Sequence, residues 1–244
     1  MLKGIAPRLS ALFARPRDVS AVEAQMRRDW DDRARENALY YIVTDAADSE
    51  EQFAASGDQS VRDIIKDVEP PVPSQATVLE IGCGIGRMLR PLAARFGTVH
   101  GVDVSAEMIE RAKARLGDLG NVHVWLTDGS SLKPIRSGSV DLVISYLVFQ
   151  HIPDAAVVET NIREAFRVLK PGGVFKFQVA GRPDTEEAAS VERARAKDTW
   201  CGVNYSDAEI RQTVERAGFR VRKTFSHAPA DSCIFLWVVA ERRR

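Results

Sequence analysis

Cysteine is scarce in this chain: Cys83, Cys201 and Cys233 are the only three in 244 residues. Their spacing offers neither a disulfide framework nor a metal-ligand pair, so free thiols in a reducing, cytoplasmic setting are expected. Net charge is absent as well, because 34 Lys and Arg balance 34 Asp and Glu. A chain without a bulk positive field lacks the usual means of holding a phosphate backbone, so nucleic acid is not an expected partner. Long hydrophobic runs are missing: the two longest stretches, residues 142–149 with Ser145 inside it and 233–240, span eight residues each. A membrane span needs about 20. The first seventeen residues carry Lys3, Arg8, Arg15 and Arg17 and no acid. There, Pro7, Arg8, Ser10 and Pro16 interrupt any apolar core of the roughly 7–15 residues that a secretory signal needs. There are no repeats and no low-complexity tracts.

What is present is an average globular composition, 45% hydrophobic and 28% charged. The length suits one domain with an appendage. The pattern changes at Glu69-Pro70-Pro71-Val72-Pro73. Residues 1–70 read as an N-terminal helical extension, and residues 71–244 as an α/β domain. In the extension, Ser20 with Glu23 has capping-box spacing and opens a helix to about Val43. Trp30, Ala34, Ala38 and Tyr41 share one face of it. Ser49 with Gln52 opens a second helix, which Ser56-Gly57-Asp58 is expected to break before it continues over residues 61–68.

From Thr77 onward, strands alternate with helices. Strands are expected over residues 77–81, 98–102, 122–126, 140–146 and 174–179. Helices are expected over residues 87–96, 105–116, 156–168 and 206–217, with a helical stretch from Gly181 to about Asp198. Pro171-Gly172-Gly173 reads as a turn. The last strands, 219–226 and 234–240, have no helix between them and should pair antiparallel. The fold class is therefore a doubly wound, mostly parallel, seven-stranded Rossmann-like sheet with an antiparallel C-terminal edge pair.

Such sheets bind ligands beyond the carboxyl ends of their strands. The first strand ends in Glu80-Ile81-Gly82-Cys83-Gly84-Ile85-Gly86. Glycines at alternate positions let the backbone turn sharply and approach a ligand. This is not the dinucleotide spacing, because the sixth position from Gly82 is Arg87. Asp103, seventeen residues after Gly86, ends the second strand. Its carboxylate could accept both hydroxyls of a ribose, or serve as a charge at the start of the next helix. Asp128-Gly129 ends the third strand, and Ser145-Tyr146 ends the fourth, followed by Phe149 and His151.

The stretch from Val78 to Ala180 resembles the class I S-adenosylmethionine-dependent methyltransferases. The likeness rests on Leu79-Glu80-Ile81-Gly82-Cys83-Gly84-Ile85-Gly86 and on Gly101-Val102-Asp103-Val104-Ser105 with Met108. It continues through Asp128-Gly129, Asp141-Leu142-Val143, His151-Ile152 and Leu169-Lys170-Pro171-Gly172-Gly173. The resemblance implies S-adenosylmethionine as cofactor. It places Gly82, Cys83, Gly84 and Gly86 under the methionine part, with Glu80 near the amino end. Asp103 would take the ribose hydroxyls, Val104 and Met108 would pack on adenine, and Asp128 and Gly129 would read its edge. Ser145 and Tyr146 would lie beside the transferable methyl, and Asp141 would support the cofactor loop.

Methyl transfer needs alignment and exclusion of water, and a base only when the nucleophile arrives protonated. His151 is the candidate base; its other reading is a cap of the turn before Pro153. Trp30, Tyr40, Tyr41 and Phe149 are the candidate lid and substrate residues, although Trp30 and Tyr41 could equally be the core stripe of their helix. Trp200 and Tyr205 could form an opposite wall. No metal is expected. The leading expectation is methylation of an oxygen or nitrogen of a small-molecule acceptor. A nucleic-acid methyltransferase stays open, although the fourth strand is not followed by the Asn/Asp-Pro-Pro-aromatic run of base-amino methyltransferases. A nicotinamide oxidoreductase and a cofactor-binding regulatory protein without turnover also stay open.

Overall fold

The structure, a computed structural model of the chain, describes residues 18–43, 49–182, 199–227 and 234–244. The basic N-terminal residues, the helical stretch expected up to Asp198 and Cys233 lie outside them.

The chain begins with α1 (Val19–Ile42) and α2 (Glu50–Ile65). An alternating series follows: β1 (Thr77–Ile81), α3 (Leu89–Ala93), β2 (Thr98–Asp103), α4 (Ala106–Leu116) and β3 (Val122–Leu126). Next come β4 (Val140–Ser145), a 3-10 turn at Phe149–His151, α5 (Ala155–Val168) and β5 (Leu169–Gly181). The chain closes with β6 (Asn204–Tyr205), α6 (Asp207–Arg216), β7 (Phe219–His227) and β8 (Phe235–Arg242). The sheet runs β3-β2-β1-β4-β5-β8-β7, with β6 beside β5. Strands β1 to β5 are parallel, and β8 pairs antiparallel with both β5 and β7. The eighth strand, beyond the seven expected, is the two-residue β6, which pairs with Ala180 and Gly181.

Local chemistry explains the boundaries. Ser105 Oγ accepts the Met108 N–H at the start of α4, and Asp154 accepts the Ala156 N–H at the start of α5. Ser206 and Glu209 form a full capping box on α6. The central strands β1 and β4 are buried on both faces, as a parallel sheet requires. One face packs Leu79, Val143 and Phe175 against α5 and α6. The other packs Val78, Val99 and Leu142 against Ile64 of α2, Leu89 and Leu92 of α3, and Ile109 of α4.

Five local expectations change. α1 is capped by Asp18, whose Oδ1 accepts the Ser20 N–H, and not by a Ser20–Glu23 box, because Glu23 accepts from Ser130 Oγ instead. Gly57 does not break α2, which runs through it. A Cβ there would sit 2.3 Å from the Arg87 carbonyl oxygen, so the glycine marks a close approach of helix to loop. α1 does run to Ile42 but kinks at Asn37, whose Oδ1 accepts the Tyr40 N–H and restarts the helix like an N-cap. α3 is shorter than residues 87–96, because Gly86 with φ of 86° holds the preceding residues in turns. The Pro171-Gly172-Gly173 turn is a bulge inside β5, where the register jumps from Leu169 opposite Val140 to Val174 opposite Leu142.

Candidate active site

The carboxyl ends of β1, β2 and β4 open into a cleft of roughly 890 Å³ including its mouth. Its floor is the loop after β1. Gly82 and Cys83 both donate N–H groups to the Val102 carbonyl, at 2.8 and 3.0 Å. Gly82 adopts a φ of 74°, and a Cβ on it would stand 2.4 Å from Val148 Cγ2. Only glycine meets both demands. The Gly84 N–H donates to Asp103 Oδ2 at 2.8 Å, and the Ser105 N–H donates to Asp103 Oδ1 at 2.9 Å. Each oxygen keeps a second lone pair. Burial raises the Asp103 pKa, while these N–H groups pull it back.

Glu80 and Arg87 stand on the same floor, 3% and 6% exposed. Burial pushes the Glu80 pKa up to about 8, against the pull of the Arg87 charge. Burial also lowers the Arg87 pKa. Arg87 donates Nη1–H groups to Ser60 Oγ at 2.9 Å and Ser56 Oγ at 3.3 Å, both on α2. Glu80 Oε2 and Arg87 Nε have no hydrogen-bond partner among the described residues. Buried polar atoms of this kind are normally satisfied, so these two give the cleft a polar end with open hydrogen-bonding capacity.

Val104, Met108, Gly129 and Tyr146 line the cleft with these residues. Tyr146 stacks on Trp237 with ring centroids 5.2 Å apart. Leu147, next to it, takes a left-handed φ of 59°. A non-glycine residue in that region carries a strain cost of about 1–3 kcal/mol and marks a constrained loop.

The mouth comes from elsewhere. Trp30, Tyr41 and Ile42 of α1 line it, as does His151. The face read from the sequence is divided, with Ala34 and Ala38 buried in the core and Trp30 and Tyr41 half-buried along the cleft. His151 is 8% exposed. Its Nδ1 lies 2.5 Å from the Trp200 carbonyl, which only accepts, so Nδ1 carries a proton and the neutral ring has its lone pair on Nε2. The Gln150 Nε2 amide lies 3.4 Å from that nitrogen. The imidazole packs between Trp30, at 5.3 Å, and Trp200, at 4.9 Å. Thr199 donates its N–H and hydroxyl to Asp29 Oδ2, at 3.2 and 3.0 Å, tying this strap to α1. Asp31 of α1 accepts from Ser105 Oγ and the Glu107 N–H at the start of α4.

Several expected residues stand outside the cleft lining. Asp128 spends its carboxylate on its own turn, accepting from Ser130 N, Ser131 N and Ser131 Oγ, and leaves the lining to Gly129. Ser145 is buried and donates Oγ to the Ile81 carbonyl, fastening β4 to β1. Gly86 faces α4, where a Cβ would meet Leu116 Cδ1 at 2.5 Å. Phe149 is fully buried against Phe175 and Phe177, a core residue rather than a lid. Tyr40 is 46% exposed, meets Tyr41 edge-on and is not among the lining residues. Tyr205 is buried in β6 and Trp200 packs against His151, and neither is among the lining residues. Asp141 supports the opposite end of the sheet, binding the Thr77 N–H and Lys170.

Sequence pattern alone misses others. Arg87 enters it only as a break in glycine spacing. Asn161 lines the cleft from α5 and gives its amide to the Gly129 and Val157 carbonyls at 2.8 and 3.0 Å. Its signal is a polar residue on the apolar face of that helix, beside Val157, Val158 and Ile162. Among the described residues, no group of three His, Cys, Asp or Glu could hold a metal ion, and no helix is long and apolar enough to cross a membrane.

Comparison with known proteins agrees with this architecture. The methyltransferase domain family matches residues 79–177. A methyltransferase of Geobacillus thermodenitrificans is 30% identical over 204 residues, 78% of this chain and 93% of the relative. A 37.1 kDa protein in transposon TN4556 of Streptomyces fradiae is 32% identical over 161 residues, 65% of this chain. The match spans only 41% of that relative's length. Among solved structures, geranyl diphosphate methyltransferase in complex with GPP and sinefungin superposes with a TM-score of 0.68 at 15% identity, covering 91% of this chain and 99% of that one. The chain belongs to the class I S-adenosylmethionine-dependent methyltransferases.

Proposed function

We propose that this chain transfers a methyl group from S-adenosylmethionine to an oxygen or nitrogen of a small-molecule acceptor. The observation that carries the reading is one cleft with two chemically different ends. The floor offers Asp103, the glycine loop and the unfilled polar atoms of Glu80 and Arg87, while the mouth offers His151 between indole rings.

The residues present fit the cofactor. Arg87 is a cation, Glu80 ionises beside an ammonium, and both have open hydrogen-bonding capacity, which suits the zwitterionic amino-acid end. The backbone of Gly82, Cys83 and Gly84 would pass beneath the methionine chain. Asp103, fixed by two N–H groups, would accept the ribose hydroxyls. Val104 and Met108 would hold the adenine faces, with Gly129 at its edge. When bound, the cofactor supplies an activated methyl group on a positively charged sulfur.

The chain itself provides position, dryness and a proton acceptor. Trp30, Tyr41 and Leu147 give the acceptor an apolar bed that keeps water from the reacting line. His151 Nε2 would take the proton from an acceptor O–H or N–H, and the Trp200 carbonyl holds the Nδ1–H tautomer that this requires. In this reading residues 1–70 act as the lid, clasped through Asp29 and Asp31. Neutral net charge and the Ser145-Tyr146-Leu147-Val148 run after β4 favour a small acceptor over nucleic acid. The scattered cysteines suit a cytoplasmic setting.

The test is incubation with isotope-labelled S-adenosylmethionine and fractionated small-molecule extracts, with labelled product read by mass spectrometry. Labelled product formed by the wild type and greatly diminished with His151→Ala supports the reading. Label found only in RNA or DNA added in parallel contradicts it.

A further inference from the structure

Arg33 stands just outside the residues that line the cleft, against the Trp30 ring of its mouth. Its guanidinium carbon lies 4.9 Å from the Trp30 centroid and 5.4 Å from the Trp200 centroid. The two indoles are the ones that also enclose His151. Arg33 donates one hydrogen bond, from Nη1 to Thr199 Oγ1 at 2.8 Å. It forms no ion pair among the described residues. The nearby carboxylate of Asp29 is occupied by Thr199, and Asp31 by the start of α4. The neighbouring acids Asp32 and Glu36 are taken by Arg35 and Tyr41.

Rings on a guanidinium leave its edge as the open recognition surface, a planar fork of donors matched to two oxygens of an anion. Stacking also fixes the side chain in advance, which reduces the ordering cost of capturing a ligand. The Arg33 guanidinium and the His151 imidazole lie 4.9 and 5.3 Å from the same Trp30 ring. They therefore stand no more than about 10 Å apart, a span that one small molecule lying along Trp30 could bridge.

From this geometry we propose that Arg33 is the specificity residue of the acceptor site and that the acceptor carries an anionic group, a carboxylate or a phosphate monoester, which the Arg33 fork holds while the methyl-accepting atom faces His151. The inference rests on the methyltransferase reading of the cleft and adds the chemical class of the acceptor. A merely structural Arg33 would instead staple the Thr199–Trp200 strap to α1 and show no preference for charge in the ligand.

The two roles separate in a binding experiment that needs no knowledge of the natural acceptor. S-adenosylhomocysteine is titrated first by calorimetry; failure at this step contradicts the methyltransferase reading itself. With that ligand saturating, benzoate, phenyl phosphate and the neutral benzamide are titrated against tryptophan fluorescence. The proposal expects one or both anions to bind about tenfold or more tighter than benzamide, as a charge-assisted pair allows. Preference for benzoate identifies a carboxylate site, and preference for phenyl phosphate a phosphate site. Arg33→Gln should bring the three probes to within about twofold of one another. Arg33→Lys keeps the charge but not the fork and should retain part of the preference, which covers the case of a Gln variant that fails to fold. Binding of S-adenosylhomocysteine together with equal affinities for the three probes, no binding of either anion, or a preference that survives in Arg33→Gln would overturn the proposal.

Discussion

The floor of the cleft comes mostly from one short stretch, residues 80–104, whereas its mouth is lined from α1 and the loop after β4 and is clasped from outside the lining by Asp29 and Thr199. The floor combines backbone, glycine N–H groups and a carbonyl, with the Asp103 carboxylate pinned by two amides and the buried Glu80 and Arg87. The mouth is made of side chains, with an imidazole packed edge-on and tilted against two indoles and the Arg33 guanidinium beside them. Backbone geometry suits a ligand that does not vary, and interchangeable side chains suit one that does. On this account the floor serves the cofactor, the mouth serves the acceptor, and substitutions in the two should act on different measured quantities.

The largest effect is expected at the mouth. His151→Ala should lower turnover about 100-fold or more if the imidazole accepts the proton, while leaving S-adenosylhomocysteine affinity unchanged. Equal turnover in the mutant would leave His151 as a packing residue between two indoles. At the floor, Asp103→Ala should weaken S-adenosylhomocysteine binding by about 1–3 kcal/mol, since a buried hydroxyl pair loses its acceptor. An unchanged dissociation constant would remove Asp103 from the ribose role.

Gly57→Ala probes the connection between α2 and the floor. The added methyl meets the Arg87 carbonyl and should cost about 1–3 kcal/mol of stability by overpacking. Cofactor affinity should fall with it, because Ser56 and Ser60 hold Arg87. A thermal melt and a calorimetric titration on the same variant check both parts, and full stability would refute the close contact.

The subtlest effect concerns protons. In the free chain the Glu80 pKa is raised to about 8 by burial, above its ordinary 4.5. The folded state therefore holds a proton that the unfolded chain gives up more readily. Glu80 contributes stability that is full below about pH 4.5 and lost as pH rises through about 8. The melting temperature of the wild type should accordingly fall relative to Glu80→Gln across that window. An ammonium bound beside Glu80 favours the carboxylate, so cofactor binding near pH 7 should release protons. Titrations in buffers of different ionisation enthalpy would detect this, and the release attributable to Glu80 should vanish in Glu80→Gln.

The contrast between floor and mouth also separates what is legible in the sequence from what is not. The glycine spacing, Asp103 and the strand pattern depend on neighbours along the chain, so β1 to β5 and the antiparallel β7–β8 pair can be read from local pattern. The same pattern locates Asp128, Ser145 and Phe149 at strand ends or just beyond them. It does not carry the direction of their side chains, which Ser131, Ile81 and Phe177 set. Gly57 looks like a helix break in sequence because its close approach to Arg87 is a tertiary fact. The clasp of Arg33 and Asp29 on Thr199, which sets the mouth, spans more than 160 residues of chain and has no periodic signature.

The most direct test of the central claim is a calorimetric titration of the wild type and Asp103→Ala with S-adenosylhomocysteine, with NAD as the control ligand. The account predicts micromolar binding of S-adenosylhomocysteine by the wild type, weaker binding by the variant and no binding of NAD. Binding of NAD, or no response to S-adenosylhomocysteine, would contradict the assignment of the glycine loop and Asp103 as a methyl-donor site.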